Sequence, residues 1–252
     1  MIEISHVTKR YGSTTVVDDV SLEIPPGGVT SVIGANGAGK STLLSMVSRL
    51  LEADSGRITV DGLDVTTTDS GTLARTLAVL RQENHVAVRL TVRDLVAFGR
   101  FPHSGGRLSE ADHRAVDEAI DYFELAAFAD RPLDRLSGGQ RQRAHVAMVL
   151  CQGTDYVLLD EPLNNLDMRH SVHIMRRLRT MADELGKTVV MVVHDINFAA
   201  RYSDRIVAMR DGALVAHGPV DTMLTPGVLR DVYDLDIPVH ELHAGPIADF
   251  YG

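Results

Sequence analysis

Nine residues, Gly34-Ala35-Asn36-Gly37-Ala38-Gly39-Lys40-Ser41-Thr42, restrict this chain more than any other stretch. They fit the pattern G-x-x-x-x-G-K-[ST], and their neighbours supply the context that the pattern needs. Gly28–Ile33 reads as a short buried strand before them, and residues 43–47 as the start of a helix after them. The glycines let successive backbone N–H groups turn toward an anion, and a helix N-terminus adds its partial positive charge. The stretch is a candidate nucleoside triphosphate site. Gly34, Asn36, Gly37, Gly39 and Thr42 would line the loop, Lys40 would reach the β- and γ-phosphates, and the Ser41 hydroxyl would ligate Mg²⁺. The chain has only three lysines, Lys9, Lys40 and Lys187, so an accidental match is a weak explanation.

A phosphate loop of this kind needs a buried sheet, and the strands for one can be read along the chain. Residues 2–7 alternate apolar and polar, Tyr11-Gly12 reads as a turn, and residues 16–24 form a second strand. Pro25-Pro26-Gly27-Gly28 returns the chain into the strand before the loop. Residues 56–60 form another short strand, closed by Asp61-Gly62, and residues 77–80 one that ends at Arg81-Gln82. Residues from about 85 to 150 look mostly helical. Thr91 would cap one helix and Ser109 another. Tyr156-Val157-Leu158-Leu159 is a continuous apolar run, as expected of a parallel strand buried on both faces. It ends in Asp160-Glu161-Pro162. The first carboxylate would face the Mg²⁺ side of the phosphate loop, and Glu161 would polarise an attacking water. Two β/α units follow, at residues 188–193 and 205–209, and Asp211-Gly212 turns the second into residues 213–216. The tail from Pro219 reads as short helices.

Composition narrows the setting. The 252 residues can bury the core of one large domain, or of one domain with a subdomain inserted. A net charge of -9 argues against duplex nucleic acid as a partner, because neutralising phosphates needs a basic surface. No stretch approaches the roughly 18–20 apolar residues that span a bilayer. The first residues lack the basic and long apolar regions of a signal peptide. Cys151 is the single cysteine, set in an apolar run, and reads as an inert core thiol in a reducing compartment. These features predict a cytoplasmic chain whose membrane role, if any, runs through a partner.

Between the phosphate loop and the Asp160 strand lies Leu136-Ser137-Gly138-Gly139-Gln140-Arg141-Gln142-Arg143. A serine and two glycines opening a helix make a second anion-binding N-terminus. Such a signature between these two motifs resembles the ATP-binding subunits of ABC transporters, and the resemblance covers essentially the whole chain. It implies an α/β fold: a P-loop NTPase core with an antiparallel β subdomain and an inserted helical subdomain. The core would comprise about 1–84 and 151–252, and the insertion about 85–150. It also implies a head-to-tail ATPase homodimer closing on two ATP molecules with Mg²⁺. Ser137, Gly139 and Gln140 of one chain would meet the γ-phosphate held by the other, and Asp167 would sit in the loop crossing the interface. Tyr11 matches the aromatic that stacks on adenine. Gln82 matches the glutamine that touches Mg²⁺ and the water, and His194 the switch histidine that bonds the γ-phosphate. Catalysis would then rest on Glu161, His194, Lys40 and Gln82, and the metal would be held by Ser41, Gln82 and Asp160.

The segment from Arg89 to His103, with Pro162-Leu163-Asn164-Asn165-Leu166-Asp167-Met168, looks like the ATPases of ferric-siderophore importers, with haem and cobalamin importers next. In the family this segment lies where the membrane subunit docks. The resemblance thus implies two integral-membrane permease subunits, an extracytoplasmic substrate-binding protein, and a place on the cytoplasmic face of the membrane. A non-transport ABC ATPase would usually carry two nucleotide domains or a long coiled-coil insertion, and neither is present. Two features remain outside this scheme. His240-Glu241-Leu242-His243 spaces its histidines three apart, not the four of a zinc-binding H-E-x-x-H, and with Asp236 reads as surface tail. Arg169, Arg176, Arg177 and Arg179 read as the solvated face of a helix.

Overall fold

The computed structural model describes residues 1–82, 88–243 and 245–250. Strands β1 (Ile2–Tyr11) and β2 (Thr14–Ile24) form an antiparallel pair running from Ile2 opposite Ile24 to Tyr11 opposite Thr14. Both are longer than the alternation alone suggests. Strand β3 (Gly28–Ile33) leads into the phosphate loop and helix α1 (Lys40–Val47). Strands β4 (Ser55–Val60) and β5 (Leu63–Asp64) return to the first sheet, whose order is β2-β1-β4-β5. Helix α2 (Ser70–Thr76) and strand β6 (Leu77–Leu80) follow.

The helical stretch holds α3 (Val92–Phe98), α4 (Phe101–Ser104), α5 (Glu110–Tyr122) and α6 (Gly138–Cys151). Thr91 and Ser109 cap α3 and α5 as their sequences predict, each in a reciprocal capping box with an aspartate three residues on. The expected junction near residues 84 and 85 lies outside the described residues. Two β/α steps and a last pair of strands complete the core: β7 (Tyr156–Asp160), α7 (Met168–Leu185), β8 (Thr188–Val192), α8 (Ile196–Tyr202) and β9 (Arg205–Arg210), with β10 (Ala213–Pro219) turning back antiparallel.

The main sheet has the order β10-β9-β3-β8-β7-β6, and its five strands from β9 to β6 run parallel. Alternate residues of these strands enter two different cores. Val32, Leu158, Val190 and Val207 face α1 and the antiparallel sheet. Ile33, Leu159, Met191 and Ile206 face the helices that include α6 and α7. Burial on both faces explains why these strands read as unbroken apolar runs.

The tail departs from expectation. Short helices α9 (Val220–Met223) and α10 (Pro226–Tyr233) are present, but a hairpin follows, β11 (Val239–Leu242) with β12 (Gly245–Ala248). His240 lies in this hairpin, and no group of three or more metal-ligating His, Cys, Asp or Glu side chains exists among the described residues. Among those residues, no helix is long and apolar enough to cross a membrane. Cys151 is buried, and desolvation pushes its thiol up to about 12, consistent with an inert core group.

Candidate nucleotide site

Parallel strands end together, and in this sheet four neighbouring ends converge. Register places Val32 beside Val192, Val192 beside Asp160, and Leu80 beside Leu159. The residues just past those ends are the phosphate loop, His194, Glu161 and Gln82. Ligand sites in open α/β sheets form at such carboxyl ends.

The phosphate loop runs close against its neighbours at two glycines. Gly34 and Gly39 have φ of 145° and 92°, and a Cβ at either would meet a carbonyl oxygen, that of Met209 at 2.1 Å or of Val16 at 2.4 Å. No side chain caps α1 and no acid sits in its first turn. The other described helices of seven or more residues all have a side-chain cap. An uncapped N-terminus beside open glycine backbone fits an anion. Lys40 is only 5% exposed and donates to the carbonyls of Gly34 at 2.9 Å and Ala35 at 2.8 Å. Burial lowers its pKa, while the carboxylates of Glu161 and Asp160 pull it back up.

Ser41 Oγ donates to Asp160 Oδ1 at 2.8 Å. Burial raises the Asp160 pKa, and the Ser41 bond opposes that shift. A hydroxyl and a carboxylate held in contact beside the amide of Gln82 form a hard-oxygen donor set, the kind that suits Mg²⁺. Glu161 follows with φ of 50°, a left-handed conformation uncommon for glutamate. Its Oε2 accepts from Gln82 Nε2 at 2.8 Å, and its Oε1 lies 2.7 Å from His194 Nε2. The carboxylate is thus held from both sides at the edge of the cleft. That cleft, of about 380 Å³, is lined by Tyr11, Ser41, Thr42, Gln82 and Asp160 among others. Tyr11 is 54% exposed, with the Lys9 ammonium 5.9 Å from its ring centroid.

The family model described as ABC transporter matches residues 17–164, which contain the phosphate loop, Gln82, Ser137, Asp160 and Glu161. The chain belongs to the ABC transporter family. It is 51% identical over 242 residues to the petrobactin import ATP-binding protein YclP of Bacillus subtilis, covering 96% of each chain. It is 52% identical over 248 residues to the petrobactin import ATP-binding protein FatE of Bacillus anthracis, covering 98% of this chain and 99% of that one. A solved dimeric ATP-binding cassette in a post-hydrolysis state, bound to ADP and Pi, superposes with a TM-score of 0.77 at 29% identity, over 87% of this chain and 99% of that one.

In this ABC transporter chain the signature residues form a second group. Ser137 caps α6, with Gln140 bonded back to the Ser137 N–H. A Cβ on Gly139 would lie 2.2 Å from the His170 ring, so that glycine allows α6 and α7 to touch. Asp167 caps α7 and holds the His170 backbone and ring, both at 2.8 Å. Among the described residues, Ser137, Gly139, Gln140 and Asp167 share no hydrogen bond with the phosphate loop or Glu161.

Two expectations change in detail. Of the four arginines on α7, Arg169 and Arg176 are exposed, but Arg177 pairs with Glu124 and Arg179 with Asp183 and Asp204. The Arg100–His103 part of the importer-like segment is bound into the molecule. Arg100 pairs with Asp112 and donates to the Cys151 carbonyl, and a His103 ring nitrogen bonds the Gln152 carbonyl at the end of α6. Phe98 and Phe101 beside them stay exposed. Gln142, a signature residue with no role in the expectations above, donates to the Pro162 carbonyl at 2.9 Å and ties α6 to the loop after Glu161. No local motif marks that contact across the fold.

Proposed function

We propose that the chain is the ATP-hydrolysing subunit of an ABC importer that takes up a ferric siderophore. The carrying observation is Glu161 clamped between Gln82 and His194, beside Ser41–Asp160 and the Lys40 loop. In this reading the loop amides and Lys40 hold the ATP phosphates, and Tyr11 stacks on adenine at the cleft mouth. Ser41, Asp160 and Gln82 hold Mg²⁺, which neutralises charge on the β- and γ-phosphates when bound. Glu161 orients a water and takes its proton. His194 keeps that carboxylate in place and reaches the γ-phosphate.

In this reading a complete site takes two chains, since the signature residues make no described hydrogen bond to the phosphate loop. Ser137, Gly139 and Gln140 of one would close on the ATP of the other, with Asp167 crossing between them. Closure of the homodimer would drive two integral-membrane permease subunits from the cytoplasmic face of the membrane. The exposed Phe98 and Phe101 offer them an apolar contact. An extracytoplasmic binding protein would deliver the cargo. The petrobactin importers among the relatives make petrobactin the first siderophore to try.

The test is uptake of radiolabelled ferric siderophore by cells lacking this gene, restored with wild-type or Glu161→Gln protein. Restoration by wild type alone is expected. Undiminished uptake in the deletion strain, with ferric petrobactin and with other ferric siderophores, would refute the cargo assignment.

A further inference from the structure

We propose that the C-terminal hairpin positions His194, and that Asn197 is the residue through which it does so. The inference rests on the reading of His194 as part of the hydrolytic site. His194 lies between two elements, two residues past the end of β8 and two before α8. Its position therefore depends on how firmly each is held. Strand β8 is paired on both sides, by β3 and β7, and Val193 N–H still donates to the Val32 carbonyl at 3.2 Å. That end is fixed.

Helix α8 is only seven residues long, too short to be stable by its own hydrogen bonds. Asp195 caps it, accepting from Asn197 N–H at 2.8 Å and Phe198 N–H at 3.2 Å. Ile196 and Ala199 anchor its inner face. Arg179 Nη1 donates to the Tyr202 carbonyl at the far end of α8, and a further hold comes from the tail. Asn197 Nδ2 donates to the Ala248 carbonyl at 3.1 Å, and Asn197 Oδ1 accepts from Ala248 N–H at 2.8 Å. The side-chain amide thus pairs with both backbone groups of one residue, as a neighbouring strand would.

Ala248 is the buried end of an otherwise open hairpin, in which β11 and the rest of β12 are exposed or half-exposed. The hairpin base is closed by Asp249 N–H donating to the Pro238 carbonyl at 2.9 Å. Asn197 thus joins β12 to α8, three residues after the histidine that touches Glu161. Released from the hairpin, α8 would carry His194 away from a carboxylate it meets at 2.7 Å. Asn197 is a positioning residue and touches no reacting atom.

The experiment is steady-state ATP hydrolysis by the full chain carrying Asn197→Ala, in the wild-type and His194→Ala backgrounds. Displacement of a positioned group predicts a fall in kcat of about tenfold or more, with KM for ATP changed by less than about twofold. In the His194→Ala background the same substitution is expected to cost nothing further, because the residue it positions is gone. Ala248→Pro removes the N–H that Asn197 accepts from and leaves Asn197 intact. It is expected to give the same kcat loss, and it serves if Asn197→Ala does not fold. An unchanged kcat, or an equal loss in both backgrounds, would overturn the proposal. If the wild-type chain does not hydrolyse ATP, the hydrolytic reading falls first and this one with it.

Discussion

Two buried charges dominate the nucleotide site, and each is held against the cost of its own desolvation. Lys40 offsets that cost with two backbone carbonyls and two nearby carboxylates. Asp160 has the Ser41 hydroxyl and the field of Lys40, and burial still leaves its pKa raised. Ionised Asp160 therefore lowers stability at neutral pH. The cost is full above the raised pKa and fades as pH falls through it toward the ordinary carboxylate range near about 4. Asp160→Asn keeps an acceptor for Ser41 and removes the charge. In nucleotide-free protein it is expected to raise Tm at pH 7, with the gap over wild type narrowing as the pH is lowered, while hydrolysis is lost. Thermal unfolding across that pH range checks it. A Tm below wild type at pH 7 would contradict the desolvation argument.

At the scale of elements, the site exists because four parallel strands stop level with one another, and α6 and its neighbours are fitted closely enough to fix the signature group. The approach of α3 to α6 depends on Gly99, where a Cβ would lie 2.2 Å from the Met148 carbonyl oxygen. Gly99→Ala is expected to destabilise the chain by about 1–3 kcal/mol, the usual cost of forcing packed elements apart. Urea unfolding measures it, and a loss below about 0.5 kcal/mol would mean that α3 moves aside freely.

Much of this level was legible in the sequence. The strands flanking the phosphate loop and ending at Asp160 are buried on both faces, so they read as apolar runs with a functional residue at the tip. Residues 239–248 gave no such signal. The hairpin is short and mostly exposed, contains Pro246 and Gly245, and is anchored at Ala248 by a side chain 51 positions earlier. The ion pairs of Arg177 with Glu124 and of Arg179 with Asp204 were invisible for the same reason, since those partners are distant in sequence. For His194 no local pattern sufficed. Only the resemblance to a known family selected it, and the geometry then set it against Glu161.

Across the molecule as a whole, the site residues fall into two groups. One group holds the Lys40 loop with Glu161, the other the Ser137 helix end with the Asp167 cap, and no described hydrogen bond joins them. In the function proposed above, a second copy of the chain supplies the signature group to each ATP. That proposal makes binding and hydrolysis separable, because it gives Glu161 to the chemistry and the loop and signature groups to the closure. The most direct test compares wild type and Glu161→Gln for both properties on the same preparations, ATP hydrolysis and ATP-dependent dimerisation by light scattering. Loss of a general base predicts turnover lowered by about 10²–10⁴-fold, with the ATP-bound dimer retained or more abundant. Turnover equal to wild type in Glu161→Gln would contradict the account at its centre.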